Sequence, residues 1–234
     1  DLSETNLKSM LADVLNHTDI PRIRVSSLQP QEINLDLLKL WQNTRLCKHF
    51  HIPLQSGSDP ILKAMRRRYT SEQYLRSIRQ IKSVLPDASI TSDVIVGFPN
   101  ESEEDFRNTV NVCNSVGFSD LHVFKFSRRP GTSAFHSIDN VAYSIKSKRS
   151  KELMLIAETG FRKYRKSHIG KKEYVLWEEP SPIDSISTFN TYTGLTGNYI
   201  RVKSQSEKEI TGLIEPVTLS IDPTQESKMM TVIR

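Results

Sequence analysis

The chain has 234 residues, of which 37% are hydrophobic and 25% are charged, and its formal net charge at pH 7 is +5. This composition is ordinary for a folded globular protein with one sizeable core and room for a small second domain. Two cysteines exclude a disulfide framework and favour a reducing compartment, and no apolar run approaches the roughly 20 residues of a membrane span. We therefore expect a cytoplasmic protein without a membrane partner.

The first two-thirds of the sequence alternates helical and extended patterns. Apolar residues at helical spacing predict helices near 7–15 and 35–41, and 23–27 reads as a short strand. A buried strand near 49–54 runs into a polar turn, after which Asp59 is a suitable N-cap and Pro60 suits the first helical turn.

Two further helix–strand pairs follow. Thr70 and Gln73 form a capping box that predicts the start of a helix, and 90–96 is the next strand. Ser102 can cap the helix after it and Gly117 fits that helix's end. A strand at 121–126 and a long basic helix at 145–166 complete the series. This βαβα order predicts parallel strands with right-handed crossovers, and about four strands are too few to close a barrel.

The pattern changes from Gly170 onwards. Short extended segments at 174–177, 188–192, 199–202 and 210–214, separated by turn residues, predict a small antiparallel β-barrel. We expect domains at 1–168 and 169–234, with 222–234 loosely attached.

Three predicted strands end in polar, glycine-containing segments. They are HIPLQSGSD at 51–59, SDVIVGFPNES at 92–102 and HVFKFSRRPGT at 122–132. In α/β proteins ligands bind at the carboxyl ends of parallel strands, so the three segments together predict a site.

These segments resemble the radical S-adenosylmethionine methylthiotransferases that modify tRNA, and most of all the MtaB-like branch acting on threonylcarbamoyladenosine. PRIRVSSLQP at 21–30 and YTGLTGNYI at 192–200 also fit, so five motifs occur in the family's order. The resemblance implies an α/β fold, the C-terminal part of an incomplete TIM-like radical SAM barrel, followed by a TRAM-like RNA-binding β-barrel. It also implies tRNA as partner and a flavodoxin or ferredoxin as electron donor.

The cysteines depart from the family pattern. These enzymes hold one [4Fe-4S] cluster with a CxxxCxxC motif and a second with three cysteines of an N-terminal domain, whereas Cys47 and Cys113 lie outside both motifs. We expect both to be core residues. The chain is interpreted as a C-terminal part that lacks the N-terminal domain and the CxxxCxxC segment, and that is inactive alone.

The intact enzyme would cleave S-adenosylmethionine at its cluster and insert a methylthio group at C2 of the modified adenosine beside the anticodon. The resemblance implies that Ile95 and Gly97 border the adenine of this cofactor. Gln55 and Ser56, which follow their strand directly, are expected to hydrogen-bond its ribose or amino-acid portion. The alternative for Gln55 and Ser56 is a polar turn that closes the strand.

Further polar residues complete the expected rim. Asp93 lies in an apolar run where an ionised carboxylate needs a partner, so we expect a cofactor contact or, alternatively, a strand-end aspartate bound to backbone amides. Ser26, Ser27 and Ser127 are expected at the same cofactor rim. Arg129 suits a carboxylate or phosphate of the substrate, unless it is merely solvated.

Positive charge is concentrated around the predicted long helix. Between 146 and 172 the basic residues are opposed by only Glu152 and Glu158, which indicates either a phosphate-facing surface or a solvated helix face. The residues expected to contact RNA are Lys163, Arg165, Lys166, Lys171 and Lys172.

Other chemistries find less support. Strand alternation puts His49 and His51 on one face, but no third ligand is visible, so we expect no metal site and assign no catalytic residue. Four alternatives remain open: a non-catalytic RNA-binding remnant, a methylthiotransferase acting on isopentenyladenosine, one acting on a ribosomal-protein aspartate, and an unrelated βα-barrel lyase or aldolase using Lys125.

Overall fold

The computed structural model describes residues 6–180, 190–221 and 230–233. Its first part alternates helices with parallel strands, as the sequence predicts. The elements are α1 (Leu7–His17), α2 (Leu35–Leu38), β1 (His49–His51), α3 (Asp59–Ala64), α4 (Ser71–Val84), β2 (Ser89–Val96), α5 (Glu103–Val116), β3 (Asp120–Lys125) and α6 (Tyr143–Lys166). Among the residues described, no helix is long and apolar enough to cross a membrane.

The three strands form one parallel sheet in the order β1-β2-β3. Alternation along β2 separates its two faces. Ile90, Val94 and Val96 belong to a core shared with α4 and α5, whose members include Tyr74 and Phe106. The opposite face of the sheet is polar and more open, and its members are His51, Thr91, Asp93, Ile95, His122 and Phe124.

Local signals in the sequence account for the helix ends. Thr70 caps α4 through its capping box with Gln73, and Ser102 caps α5 in the same way, as predicted. Gly117 ends α5 in the left-handed conformation, with φ of 61°. The prediction that Asp59 is the N-cap of α3 is wrong, because Asp59 is the first residue of that helix. Its carboxylate instead accepts a hydrogen bond from the backbone amide of Ser71 at 2.7 Å.

The predicted strand at 23–27 does not form. One parallel bridge joins Ile23 to Leu46, and the chain then turns away through Ser27, whose φ is 59°. The side chains of Arg22 and Arg24 explain this course. They donate hydrogen bonds to the backbone carbonyls of residues 195 and 196 in the second part of the chain, at 2.7 and 3.2 Å.

The second part is a closed barrel of five strands in the order β4-β5-β6-β8-β7, with β7 pairing back to β4. The strands are β4 (Lys172–Pro180), β5 (Asn190–Thr196), β6 (Arg201–Ser206), β7 (Ile214–Ser220) and β8 (Met230–Ile233). Buried residues from several of its strands, including Trp177 and Tyr192, fill the interior.

Three expectations about this small barrel need correction. The strand predicted at 210–214 instead begins at Ile214, because Gly212 is in a left-handed turn with φ of 77°. The C-terminal tail is not loosely attached at Met230–Ile233, which fills the gap between β6 and β7. Its pairing with β6 is parallel, so the barrel is not wholly antiparallel. Residues 188 and 189 of the strand predicted at 188–192 lie outside the described residues.

Candidate functional site

A cavity of about 430 Å³ opens at the carboxyl ends of β1, β2 and β3. Its volume falls in the range of small-molecule sites, and its place in the fold is where parallel α/β sheets bind ligands. The residues that line it are Gln55, Ala64, Met65, Arg67, Asp93, Ile95, Phe98, Phe124, Lys125, Phe126, Ser127, Arg129, Thr132 and Ala134.

Gln55 extends the edge of the sheet beyond β1. Its backbone amide donates to the carbonyl of Asp93 at 2.8 Å, and its carbonyl accepts from the amide of Ile95 at 2.9 Å. Its φ is 64°, a left-handed value that few residues other than glycine adopt. Such backbone conformations cluster at functional sites, where the surrounding structure holds them in place. The two backbone hydrogen bonds therefore fix the main chain of Gln55 beside Asp93.

Asp93 is held by two imidazole rings on the open face of the sheet. One of its carboxylate oxygens lies 3.3 Å from Nε2 of His51 and 3.3 Å from Nδ1 of His122. The hydroxyl of Ser27 reaches Nδ1 of His51 at 3.3 Å. A carboxylate offers about four lone-pair positions, so Asp93 keeps acceptor capacity for a ligand. The observed partners are imidazoles rather than the backbone amides of the alternative reading.

Aromatic side chains form the apolar wall of the cavity. Phe98 and Phe126 pack edge to face with ring centroids 5.2 Å apart. Phe124 is the neighbour of Ile95 in the β2–β3 register and is 49% exposed on the open face. Together with Met65, these side chains present flat apolar surface of the kind on which a planar heterocycle stacks.

Three cations and one carboxylate line the cavity. The carboxylate is Asp93, and the cations are Arg67, Lys125 and Arg129. Arg67 lines the cavity, and its Nε atom is buried without a hydrogen-bond partner, which costs free energy. Sequence reasoning missed Arg67, because it follows α3 rather than a strand.

The loop after β2 is fastened to α6 by buried charges. The amide of Gly97 donates to the carboxylate of Glu101 at 2.7 Å, and Arg149 pairs with the same carboxylate at 2.6 Å. Burial raises the pKa of Glu101, and its bonds to Gly97 and Arg149 oppose that shift. Lys146 reaches Asp139 at 2.7 Å and the carbonyl of Phe126 at 3.3 Å. This network joins α6 to the loop after β2 and to Phe126 after β3, and both segments contribute to the cavity wall.

Gly97 is not among the residues that line the cavity, and its surroundings leave no room for a side chain. A Cβ atom there would lie 2.3 Å from the side chain of Lys146, and its φ is 71°. Only glycine suits both conditions.

Ser56 lies away from the cavity. Its hydroxyl is fully buried against α5, where it contacts the hydroxyl of Thr109 at 3.3 Å and accepts from the amide of Ser58 at 3.2 Å. The alternative of a closing turn describes this position better than a cofactor contact. Ser26 is exposed and is not among the residues that line the cavity.

The two histidines paired by strand alternation, His49 and His51, have different hydrogen-bond partners. His49 is buried, its Nε2 lies 2.8 Å from the hydroxyl of Thr91, and burial lowers its pKa to about 3. Within the described ranges no group of three His, Cys, Asp or Glu side chains is arranged to hold a metal ion. Cys47 and Cys113 are both buried and free, as expected.

The residues expected to contact RNA fall into two groups. Lys163, Lys166, Lys171 and Lys172 are exposed near the end of α6 and the start of β4. Arg165 is buried instead, with its guanidinium 5.0 Å from the ring centroid of Phe161. Its position therefore differs from that of a surface phosphate contact.

Comparisons with known proteins place these features in a family. Residues 6–113 match the model of the Radical SAM superfamily. The chain is 36% identical over 211 residues to a tRNA-2-methylthio-N(6)-dimethylallyladenosine synthase of Desulfitobacterium hafniense, covering 90% of this chain and 46% of that protein. It is 33% identical over 221 residues to the threonylcarbamoyladenosine tRNA methylthiotransferase MtaB of Bacillus subtilis, covering 94% and 49%.

The chain thus spans about half the length of the curated relatives it matches. Among solved structures, coproporphyrinogen III oxidase (HemN) from Escherichia coli, described as a radical SAM enzyme, aligns with a TM-score of 0.53 at 13% identity. The alignment covers 81% of this chain and 50% of that one. At this identity the likeness shows the fold alone, and it agrees with a partial radical SAM barrel.

Proposed function

Since this chain carries a radical SAM domain and is homologous to tRNA methylthiotransferases over most of its length, we propose that it forms part of such an enzyme. The proposed reaction takes place in the cytoplasm and adds a methylthio group to C2 of N6-threonylcarbamoyladenosine next to the anticodon of tRNA. A flavodoxin or ferredoxin would supply the electrons. The observation that carries the proposal is the cavity in which Gln55, Asp93 and Ile95 meet at the strand ends.

The residues of the cavity fit S-adenosylmethionine. Asp93 and Gln55 offer acceptors and donors suited to ribose hydroxyls, and Ile95 with Phe124 offers apolar surface for the adenine. The guanidinium of Arg67, a residue that lines the cavity, suits the carboxylate of the amino-acid portion. Bound in this way, S-adenosylmethionine would supply the radical and methyl chemistry of the reaction.

The side chains present do not fit an iron–sulfur cluster. Cluster ligands are thiolates, whereas burial raises the pKa of Cys113 to about 12, and Cys47 is also buried. We therefore propose that this chain alone does not catalyse the reaction and that cluster ligands lie outside it. Radical cleavage of S-adenosylmethionine by the 234-residue chain, reconstituted with iron and sulfide, would contradict this proposal.

The small barrel and the end of α6 are the proposed RNA-binding part. The barrel is TRAM-like in its place after the radical SAM part, and the exposed Lys163, Lys166, Lys171 and Lys172 lie where the two parts join. Contacts from lysines to phosphates release counterions, so RNA affinity should fall as salt rises.

Two experiments test the proposal. Titration of the chain with S-adenosylmethionine in a calorimeter should show binding that is at least tenfold weaker in Asp93→Ala, while Asp36→Ala, an exposed carboxylate on α2, serves as the matched control. Nucleoside mass spectrometry on a strain that lacks the whole gene should show loss of the methylthio group from threonylcarbamoyladenosine. Unchanged methylthiolation there would contradict the proposed substrate.

A further inference from the structure

The cavity carries more positive charge than its cofactor can neutralise. Arg67, Lys125 and Arg129 face one carboxylate, that of Asp93, which already contacts two imidazoles. S-adenosylmethionine brings a sulfonium, an ammonium and a carboxylate, so it is itself a net cation. If Arg67 takes the cofactor's carboxylate, two cations still lack an anionic partner. A second ligand that carries an anionic group would supply that partner.

Lys125 is held at the β3 side of the cavity by neighbouring side chains. The ammonium of Lys125 donates to the hydroxyl of Tyr143 at 2.9 Å and lies 4.4 Å from the centroid of that ring. It also lies 3.5 Å from the hydroxyl of Ser147. Both partners are neutral, so they orient the ammonium without neutralising it, and an ammonium has three donors.

Arg129 is exposed at the same mouth, just after the strand. In the part of the chain that the structure describes, no carboxylate oxygen lies within 4 Å of its guanidinium. A guanidinium that is not paired with a carboxylate of the protein can bind a ligand's carboxylate through two parallel hydrogen bonds. Lys125 and Arg129 thus both line the cavity together with Phe124 and Phe126 of its apolar wall, and we refer to these two cations as the pair.

The relatives named above act on adenosines with different N6 substituents. A dimethylallyl group is apolar and uncharged, whereas a threonylcarbamoyl group ends in a carboxylate and a hydroxyl. Placing a dimethylallyl group against two cations would strip water from them without compensation, which costs free energy. A carboxylate in the same place would form charge-assisted hydrogen bonds with both.

We infer that Lys125 and Arg129 bind the carboxylate of the N6-threonylcarbamoyl substituent and so determine which modified adenosine the site accepts. The inference rests on the proposed function, because it assigns a substrate group to the same cavity. It assigns no bond-making role to either residue. Tyr143 acts through Lys125 as a positioning residue.

Binding of labelled anticodon stem-loop RNAs to the 234-residue chain tests the inference without any cluster. The RNAs carry threonylcarbamoyladenosine, its methyl ester, dimethylallyladenosine or unmodified adenosine at the same position. Lys125→Met and Arg129→Met should each weaken binding of the threonylcarbamoyl RNA about tenfold, which is about 1.4 kcal/mol. Binding of the other three RNAs should change less than twofold. Lys8→Met and Arg76→Met, exposed on α1 and α4, are the matched controls.

Three outcomes of binding measurements with the Lys125 and Arg129 variants would overturn the inference. Equal losses on all four RNAs would mean that the pair binds backbone phosphate. No loss on any RNA would remove the pair from recognition. An equal loss of affinity for S-adenosylmethionine would mean that the anion is the cofactor's carboxylate.

Free threonylcarbamoyladenosine, titrated by NMR, provides a separate test should the chain bind none of the RNAs. The inference expects amide shifts at Lys125 and Arg129, and their absence would overturn it. Failure of RNA binding alone counts instead against the proposed RNA-binding part.

Discussion

The imidazole of His49 stacks on the ring of Tyr199, with centroids 4.1 Å apart and planes 4° apart. His49 belongs to β1 of the parallel sheet, and Tyr199 to the turn before β6 of the small barrel. The guanidinium of Arg24 lies 4.7 Å from the same Tyr199 ring. The family motif at 192–200 therefore helps to attach the barrel to the sheet, at the end opposite the cavity.

Because His49 is buried, we expect the folded chain to lose stability in mild acid. Its pKa is about 3 in the folded chain against 6.5 when exposed, chiefly because burial disfavours the charged ring. The unfolded chain therefore binds the extra proton between these values, and stability should fall as pH drops below about 6.5. The slope contributed by one such group is at most about 1.4 kcal/mol per pH unit.

Urea denaturation from pH 7 to pH 5 measures this slope. His49→Phe keeps a ring against Tyr199, and its slope of unfolding free energy against pH should be smaller by up to about 1.4 kcal/mol per pH unit, the contribution of one proton. Stability at pH 7 should also fall, because the hydroxyl of Thr91 loses its hydrogen-bond partner. His17→Phe, at an exposed histidine, should leave the slope unchanged. An identical slope in wild type and His49→Phe would refute the assignment.

Gly57, in the segment at 51–59, packs so closely against α5 that we expect no larger side chain to fit there. An added Cβ would lie 2.6 Å from the Cα of Thr109 and 2.7 Å from the carbonyl oxygen of Asn108, both backbone atoms of α5. Gly57→Ala should therefore destabilise the fold by about 1–3 kcal/mol in thermal or urea unfolding. Gly197→Ala, where no atom lies within 4 Å, should stay within about 0.5 kcal/mol. Equal stability of the two variants would count against the close approach of α5.

The buried pair of Arg149 and Glu101 predicts a large effect from removing one partner. Both side chains are nearly inaccessible, and Arg149→Met would leave the carboxylate of Glu101 without its cation. Loss of one member of a buried pair typically costs about 3–5 kcal/mol. Arg162→Met breaks the exposed pair with Glu158 and should cost less than about 1 kcal/mol. Comparable urea midpoints for the two variants would show that the buried pair does not secure the loop after β2.

Arg165 and Lys166 are adjacent in sequence but should respond differently to the same substitution. Lys166→Met removes an exposed charge, so it should lower the salt dependence of RNA binding by about one counterion with little change in stability. Arg165→Met removes a buried guanidinium that packs on Phe161, so it should lower stability. Filter binding from 50 to 200 mM salt, with urea unfolding of both variants, separates the two roles. A reduced salt slope only in Arg165→Met would reverse the assignment.

Most of the fold could be predicted from periodicity and capping residues. The starts of α4 and α5 and the course of β2 depend on local signals, namely Thr70 with Gln73, Ser102, and an apolar run. The segment at 23–27 could not be predicted in the same way. Its course is set by hydrogen bonds from Arg22 and Arg24 to backbone more than 170 residues away, which no local pattern contains.

The same contrast between local signals and contacts made only in the fold applies to the residues of the candidate site. Gln55 follows β1 and Ile95 lies near the end of β2, so the strand-end rule finds them, whereas Asp93 inside β2 is found as a carboxylate in an apolar run. Arg67 follows a helix and enters the cavity only because α3 is short and the chain turns back at Arg66, whose φ is 57°. Ser56 stands next to Gln55 in the sequence but points to α5, since neighbouring residues beyond a strand end face opposite sides.

Titration of the ¹⁵N-labelled chain with S-adenosylmethionine by NMR tests the central claim most directly. The account predicts saturable amide shifts at Gln55, Ile95 and Phe124, with loss of these shifts in Asp93→Ala and in Arg67→Met. The shifts should persist in Arg76→Met, the exposed control. Absence of shifts at millimolar cofactor, or shifts confined to residues outside the cavity, would contradict the assignment of this cavity to S-adenosylmethionine.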